Sequence, residues 1–167
     1  MAFSTDLLKG LKTTGPFLEK ALISDVKNVF NSMIGMDHLL HLALPVDPAS
    51  TFTDCISAMV GLAGTYNGIV SLHVPVQLAQ RLTAQLLDTP NPGEEEIEDA
   101  LGEIANILAG AFKRHLSEQS MDVRLSLPSV VSGKQYAIHV AKKPDVMTLL
   151  FDSEEDWFMT ALALEKG

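Results

Sequence analysis

Glu103 and Asn106 stand three residues apart in GEIANILAGAF, residues 102–112, within an otherwise apolar run. On a helix this spacing puts both side chains on one side, with Gly110 one turn beyond Asn106. The chemistry open to such a pair is positioning. A carboxylate accepts charge-assisted hydrogen bonds from a basic group. A carboxamide both donates and accepts, but is no base at neutral pH. A mid-helix glycine costs about 1 kcal/mol relative to alanine, and one kept there often admits something close to the backbone. By spacing alone, a solvated helix face is the simpler account of the pair.

Other candidates for chemistry are thinner. His38 and His41 in HLLHLALPV could suggest a metal site. That segment alternates as a strand does, however, and residues three apart on a strand point to opposite faces. Two ordinary histidines are expected, and no metal site. Cys55 is the only cysteine, which excludes an intrachain disulfide and a multi-cysteine metal centre; a small buried hydrophobe in a strand is expected. There is no glycine-rich phosphate loop before Lys-Ser/Thr, no His-Glu-x-x-His and no Gly-x-Ser-x-Gly. Trp157, alternating with Met159, is expected to pack on a sheet.

The 167 residues fit one domain, and 47% apolar content is that of a folded globular protein. A formal net charge of -9 argues against nucleic acid and anionic membrane surfaces as partners. No apolar run of about 18 residues is present to cross a bilayer. The N-terminal MAFSTDLLKGLKTTGPF lacks a signal-peptide pattern. A reducing cytoplasm is the expected setting.

The elements that must position the pair can be read along the chain. Residues 1–15 are expected to form a loosely held N-terminal extension, with at most a helical turn at TDLLKGLK. Leu18, Leu22, Val26, Val29 and Met33 recur at three and four, predicting a helix from Phe17 to about Ile34 with Gly35 as its C-cap. TDCISAMVGLAGTYNGIVSLHVP predicts a hairpin turning at Asn67-Gly68. Val76–Leu87 reads as a short helix opened by Pro75. After the DTPNPG linker, Glu94, Glu95 and Glu96 begin a helix reaching about Ser117, roughly 24 residues and 36 Å. VRLSLPSVVSG, QYAIHVAK, VMTLLF and DWFMTALALE read as strands. The fold class is α+β: long helices packed on a mainly antiparallel sheet, in two halves that echo each other weakly.

On the long helix, Ile97, Leu101, Ile104, Leu108 and Ala111 share a core-facing stripe. Asp99, Glu103, Asn106, Gly110, Lys113 and Ser117 lie nearly opposite. Gly102, Ala105 and Ala109 form a small-residue stripe suited to close helix packing.

DALGEIANILAG resembles the signature helix of the CheC/CheX/FliY family of chemotaxis phosphatases, with its Glu-x-x-Asn pair and following glycine. PSVVSG, residues 128–133, is similar to the family's Pro-x-hydrophobic-hydrophobic-x-Gly segment, and the order of elements matches from about Phe17 to Leu164. The resemblance implies a single CheX-like domain over 1–167 with pseudo-symmetric halves. It implies hydrolysis of the aspartyl phosphate of a CheY-like response regulator. Asn106 would orient the attacking water and Glu103 would contact the regulator's active-site lysine. Asp99, Gly110 and Lys113 would meet the partner. Magnesium would be held by the regulator, with no cofactor of the chain's own, and the protein would be a homodimer.

Asp25 and Asn28, in SDVKNVF, repeat the spacing on the first helix. Their match is read as incidental, because Asp is shorter in reach than Glu and the LGE…AG surroundings are absent. One site, as in CheX, is expected. A non-catalytic regulator-binding or scaffolding module, and a purely structural dimer, are the alternatives.

Overall fold

The computed structural model describes residues 3–44, 51–116, 123–140 and 143–167. Its helices are α1 (Thr5–Leu11), α2 (Gly15–Ile34), α3 (Val76–Leu87) and α4 (Glu94–Lys113). Its strands are β1 (Leu40–Leu42), β2 (Thr51–Gly64), β3 (Tyr66–Pro75), β4 (Val123–Leu125), β5 (Ser129–Ala137), β6 (Asp145–Asp152) and β7 (Trp157–Lys166). The strands form one sheet in the order β1-β6-β7-β3-β2-β4, with β5 also pairing β2. Every pairing is antiparallel.

That order contains two interlocked halves. The hairpins β2–β3 and β6–β7 lie side by side through β3 and β7, and each follows a long helix. The outer strand of each half pairs with the other half's hairpin: β1 with β6, and β4 and β5 with β2. The helices bury one face of the sheet. Phe30 of α2 stacks on Phe158 of β7 with centroids 4.8 Å apart, and Phe158 on Phe151 of β6 at 5.4 Å. Leu101, Ile104, Leu108 and Phe112 of α4 are fully buried in the same core, a geometry that follows from their three–four spacing.

Several expectations hold and several are corrected. α2 ends as expected, with Gly35 in the left-handed region at φ 75°. It begins slightly earlier, because Thr14 caps it by accepting from the Phe17 amide. α3 has the expected limits. α4 stops at Lys113 and gives way to a tight turn through Leu116, so it is shorter than expected; Ser117 lies outside the described residues. Of the expected strands, the break falls before Ser129, and Gly133 runs on inside β5.

Residues 3–15 are not loosely held. α1 is capped by Ser4, whose hydroxyl accepts from the Leu7 amide, and Phe3, Leu7 and Leu11 are buried in the main core. Leu7 and Leu11, four apart, share one face of the helix, and Phe3 packs into the same core from just ahead of the cap.

The hairpin turn is not at Asn67-Gly68. β2 and β3 pair up to Leu62 opposite Gly68, so the chain reverses at Thr65. Gly64 supplies the unusual φ of 142°, and the Asn67 side chain accepts from the Gly64 amide. Gly68 answers a different demand: a Cβ there would collide with the carbonyl oxygen of Ala163 on β7. Strand packing, rather than turn geometry, requires glycine at this position.

Strand alternation also changes phase within β2. Phe52 and Ser57 are five residues apart, which would place them on opposite faces. Both nevertheless meet His73, Phe52 by stacking at 4.3 Å and Ser57 by a 2.6 Å hydrogen bond. Asp54, with φ 50°, lies between them and is where the phase shifts.

Candidate functional site on α4

α4 is enclosed on most sides. It packs on α2, α3, β2, β3, β4 and β5, and Ile97, Ala100, Leu101, Gly102, Ile104, Ala105, Leu108 and Ala109 are all buried. Gly102 faces Pro128 and Val130, so the PSVVSG segment braces the helix from the β5 side. What remains open along the middle of the helix is narrow. Asp99, Glu103, Asn106 and Ile107 are exposed, and apart from the adjacent turns of its own helix no described residue comes within 4 Å of a Cβ placed on Gly110.

Asp99, Glu103, Asn106, Gly110 and Lys113 thus lie along one strip about 21 Å long. Glu103 and Asn106 are adjacent on it, and their side chains make no hydrogen bond or ion pair with any described residue. A free carboxylate one turn from a free carboxamide, on a helix fixed on its other sides, can present both groups to a docking molecule with little motion. Lys113, half-buried, is the last helical residue.

Ile107 was not among the residues expected at the site. It is 37% exposed beside Asn106, an apolar residue on the polar stripe. Advancing 100° per residue from Glu103 would have found it. Met33, Leu86 and Leu87, which come close to Glu103 from α2 and α3, could not have been found that way.

The first-helix pair is arranged differently. Asn28 is exposed, but Asp25 is buried and turned toward the end of α4. His115 Nε2 donates to Asp25 Oδ2 at 2.7 Å, and Arg114 Nη2 lies 3.6 Å from Oδ1. Asp25 joins the two long helices and is committed to that contact.

The face of the sheet away from the helices carries a polar cluster of its own. His73 sits between Ser57 and Ser71, with Nδ1 2.6 Å and Nε2 3.0 Å from their hydroxyls, and Tyr136 closes on Ser57 at 2.8 Å. Burial lowers the His73 pKa to about 4, so its ring is neutral at neutral pH. Beside it lies a cavity of about 710 Å³ bordered by Cys55, Asp54, Asp156 and Trp157. Cys55 is half-buried, with its thiol pKa pushed up by burial. Trp157 does not pack down on the sheet as expected; it is 59% exposed.

β1 spans only Leu40–Leu42, because Met36 and Leu39 are drawn into the core before it. His38 therefore precedes the strand, 3.8 Å from the Asp37 carboxylate, and the alternation argument does not reach it. His41 packs edge-on against Phe151. Among the described residues, no three His, Cys, Asp or Glu side chains gather as a metal site. No described helix is long and apolar enough to cross a membrane.

An antiparallel sheet of two interlocked hairpins, covered on one face by two long helices, is the architecture of solved chemotaxis proteins. CheX from Desulfovibrio desulfuricans is 25% identical, with a TM-score of 0.78 over 89% of this chain and 99% of that one. CheX from Vibrio vulnificus is also 25% identical, with a TM-score of 0.74 over 89% and 96%. The CheX–CheY–BeF3–Mg complex from Borrelia burgdorferi shares the fold at 16% identity and a TM-score of 0.76, over 89% and 98%. The family model described as chemotaxis phosphatase CheX matches residues 56–152, more than half of the chain, and the chain belongs to that family. No curated protein matches it significantly by sequence.

Proposed function

We propose that this protein hydrolyses the aspartyl phosphate of a CheY-like response regulator. The observation that carries the reading is the adjacent Glu103 and Asn106, their side chains unpaired among the described residues, on the exposed strip along the middle of α4. An acyl phosphate is already reactive, and what it lacks is a water held in line with the breaking bond. Asn106 orients that water through its amide, much as a glutamine does in GTPases. Glu103 makes a charge-assisted contact with the regulator's active-site lysine. Asp99, Gly110 and Lys113 border the docked partner.

Magnesium belongs to the regulator in this scheme, and the chain needs no cofactor of its own. The Borrelia burgdorferi complex, a CheX with a CheY, supports a CheY-like partner. The setting is the cytoplasm, where such regulators are phosphorylated.

The direct test adds catalytic amounts of the protein to phosphorylated CheY-like regulators and follows the phosphoryl half-life. Shortening at a molar ratio well below one supports the phosphatase. Protection, or an effect only at stoichiometric amounts, would instead establish a binding module. Any magnesium requirement should follow the regulator.

A homodimer is part of the same reading. Trp157, Val131 and Leu40 are exposed on a sheet whose outer face has only a small apolar cluster around Phe52, Leu150 and Met159. Light scattering is expected to give twice the chain mass at micromolar concentration. A monomer mass throughout that range would contradict it.

A further inference from the structure

Met33 near the end of α2, Leu86 and Leu87 at the end of α3, and Ala100 on α4 border a groove of about 400 Å³. Glu96, Asp99 and Glu103 complete its lining, which among the described residues includes no lysine or arginine. The helix ends that make it are tied together. Gln85 Nε2 donates to the Ile34 carbonyl at 2.7 Å, and Gly35 closes α2 in the left-handed region. The groove is therefore built from fixed helix ends.

Leu87 is 43% exposed at its margin, and Ile107 continues the Glu103 ridge one turn further along α4. Half-open apolar side chains of this kind receive the anchor residues of a partner. Three carboxylates without a basic neighbour among the described lining residues select a partner that brings positive charge. A second copy fits poorly, since it would add its own net charge of -9.

We propose that this groove docks the segment of the response regulator beside its phosphorylated aspartate, a segment carrying an apolar side chain flanked by lysine or arginine. The inference rests on the phosphatase reading above. Glu103 belongs both to the acid–amide pair and to the groove wall, so a regulator whose phosphoryl group meets Asn106 overlies the groove. Glu96, at the far end, is about 10 Å further along the helix. The groove acts on recognition, selecting which regulators are accepted, while Asn106 acts on the chemical step.

The test uses the full chain against CheY-like regulators of the same organism phosphorylated with acetyl phosphate. Leu87→Asp and Asp99→Lys are each expected to raise KM about tenfold with kcat within twofold, the pattern of lost docking. The Asp99→Lys effect should shrink at high salt. Thermal melting confirms that each variant is folded. An unchanged KM in both folded variants overturns the groove assignment. So does a Leu87→Asp chain that turns from dimer to monomer in light scattering, because the occupant is then a second copy. If the unaltered protein shortens no phosphoryl half-life, the phosphatase reading has failed, and regulator binding measured by calorimetry decides the groove separately. Tighter binding by the unaltered chain than by Leu87→Asp upholds the groove, and equal or absent binding overturns it.

Discussion

Asn106→Ala should lower turnover of the phosphorylated regulator roughly 10²-fold, the scale of losing a group that positions a reacting partner. The fold should hardly notice. Asn106 is exposed and has no partner among the described residues, and surface changes of this kind stay within about 0.5 kcal/mol. Binding of the regulator should change less than kcat, because the amide acts mainly in the transition state. Glu103→Ala should differ in kind, weakening both docking and turnover as the charged contact to the regulator's lysine goes. Single-turnover decay of the phosphoryl group, with regulator affinity measured in parallel, separates the two effects. Wild-type turnover in Asn106→Ala would remove the catalytic assignment.

Asp25→Ala should cost about 1.5–3 kcal/mol of stability, the range for a lost hydrogen bond to a charged group. The change leaves the His115 N–H without its 2.7 Å acceptor at a mostly buried junction between α2 and α4. Asn28→Ala, three residues on and exposed, should cost almost nothing. Activity per folded molecule should stay near wild type in both. Denaturant midpoints measure the first claim and turnover the second. His115→Ala should be destabilising as well, and the double variant less so than the sum, as expected for two groups in one contact. An Asp25→Ala chain as stable as wild type would show that the junction contributes nothing. A large specific loss of turnover in Asn28→Ala would point to a second site on α2.

These two pairs show what sequence spacing reveals about the site. Glu103 and Asn106 were legible because a strong apolar stripe on α4 fixed which side had to be open. Asp25 and Asn28 have the same spacing, but one residue faces α4 and the other solvent. Small rotations of a helix against its neighbour decide such a difference, and spacing does not record them. The groove beside Glu103 was illegible for a related reason: Met33, Leu86 and Leu87 meet only through tertiary packing.

The fold divides in a similar way. α2, α3 and α4 carry enough turns for periodicity to register. α1, at seven residues, does not, and the burial of Leu7 and Leu11 comes from docking. Asn67-Gly68 is a sound local turn signal, but the pairing of β3 with β7 outweighs it, and that pairing joins residues far apart in sequence. The Asp54 phase shift was invisible because aspartate rarely marks a left-handed residue within a strand.

The exchange of outer strands between the halves has a consequence for how the molecule forms. The hydrogen bond from Thr160 to the Ser71 carbonyl, across the central β3–β7 pair, closes a loop of 89 residues. β1 cannot gain its neighbour until β6 has been made, and β2 waits in the same way for β5. Each half is thus missing an edge that only the other supplies, so a nascent N-terminal half leaves the ribosome with the β2 and β3 flanks unpaired. Long-range pairing of this kind slows folding, because loop entropy must be overcome before the contacts reward it. It also makes the native sheet an all-or-none assembly, in which loosening one half exposes strand edges in both.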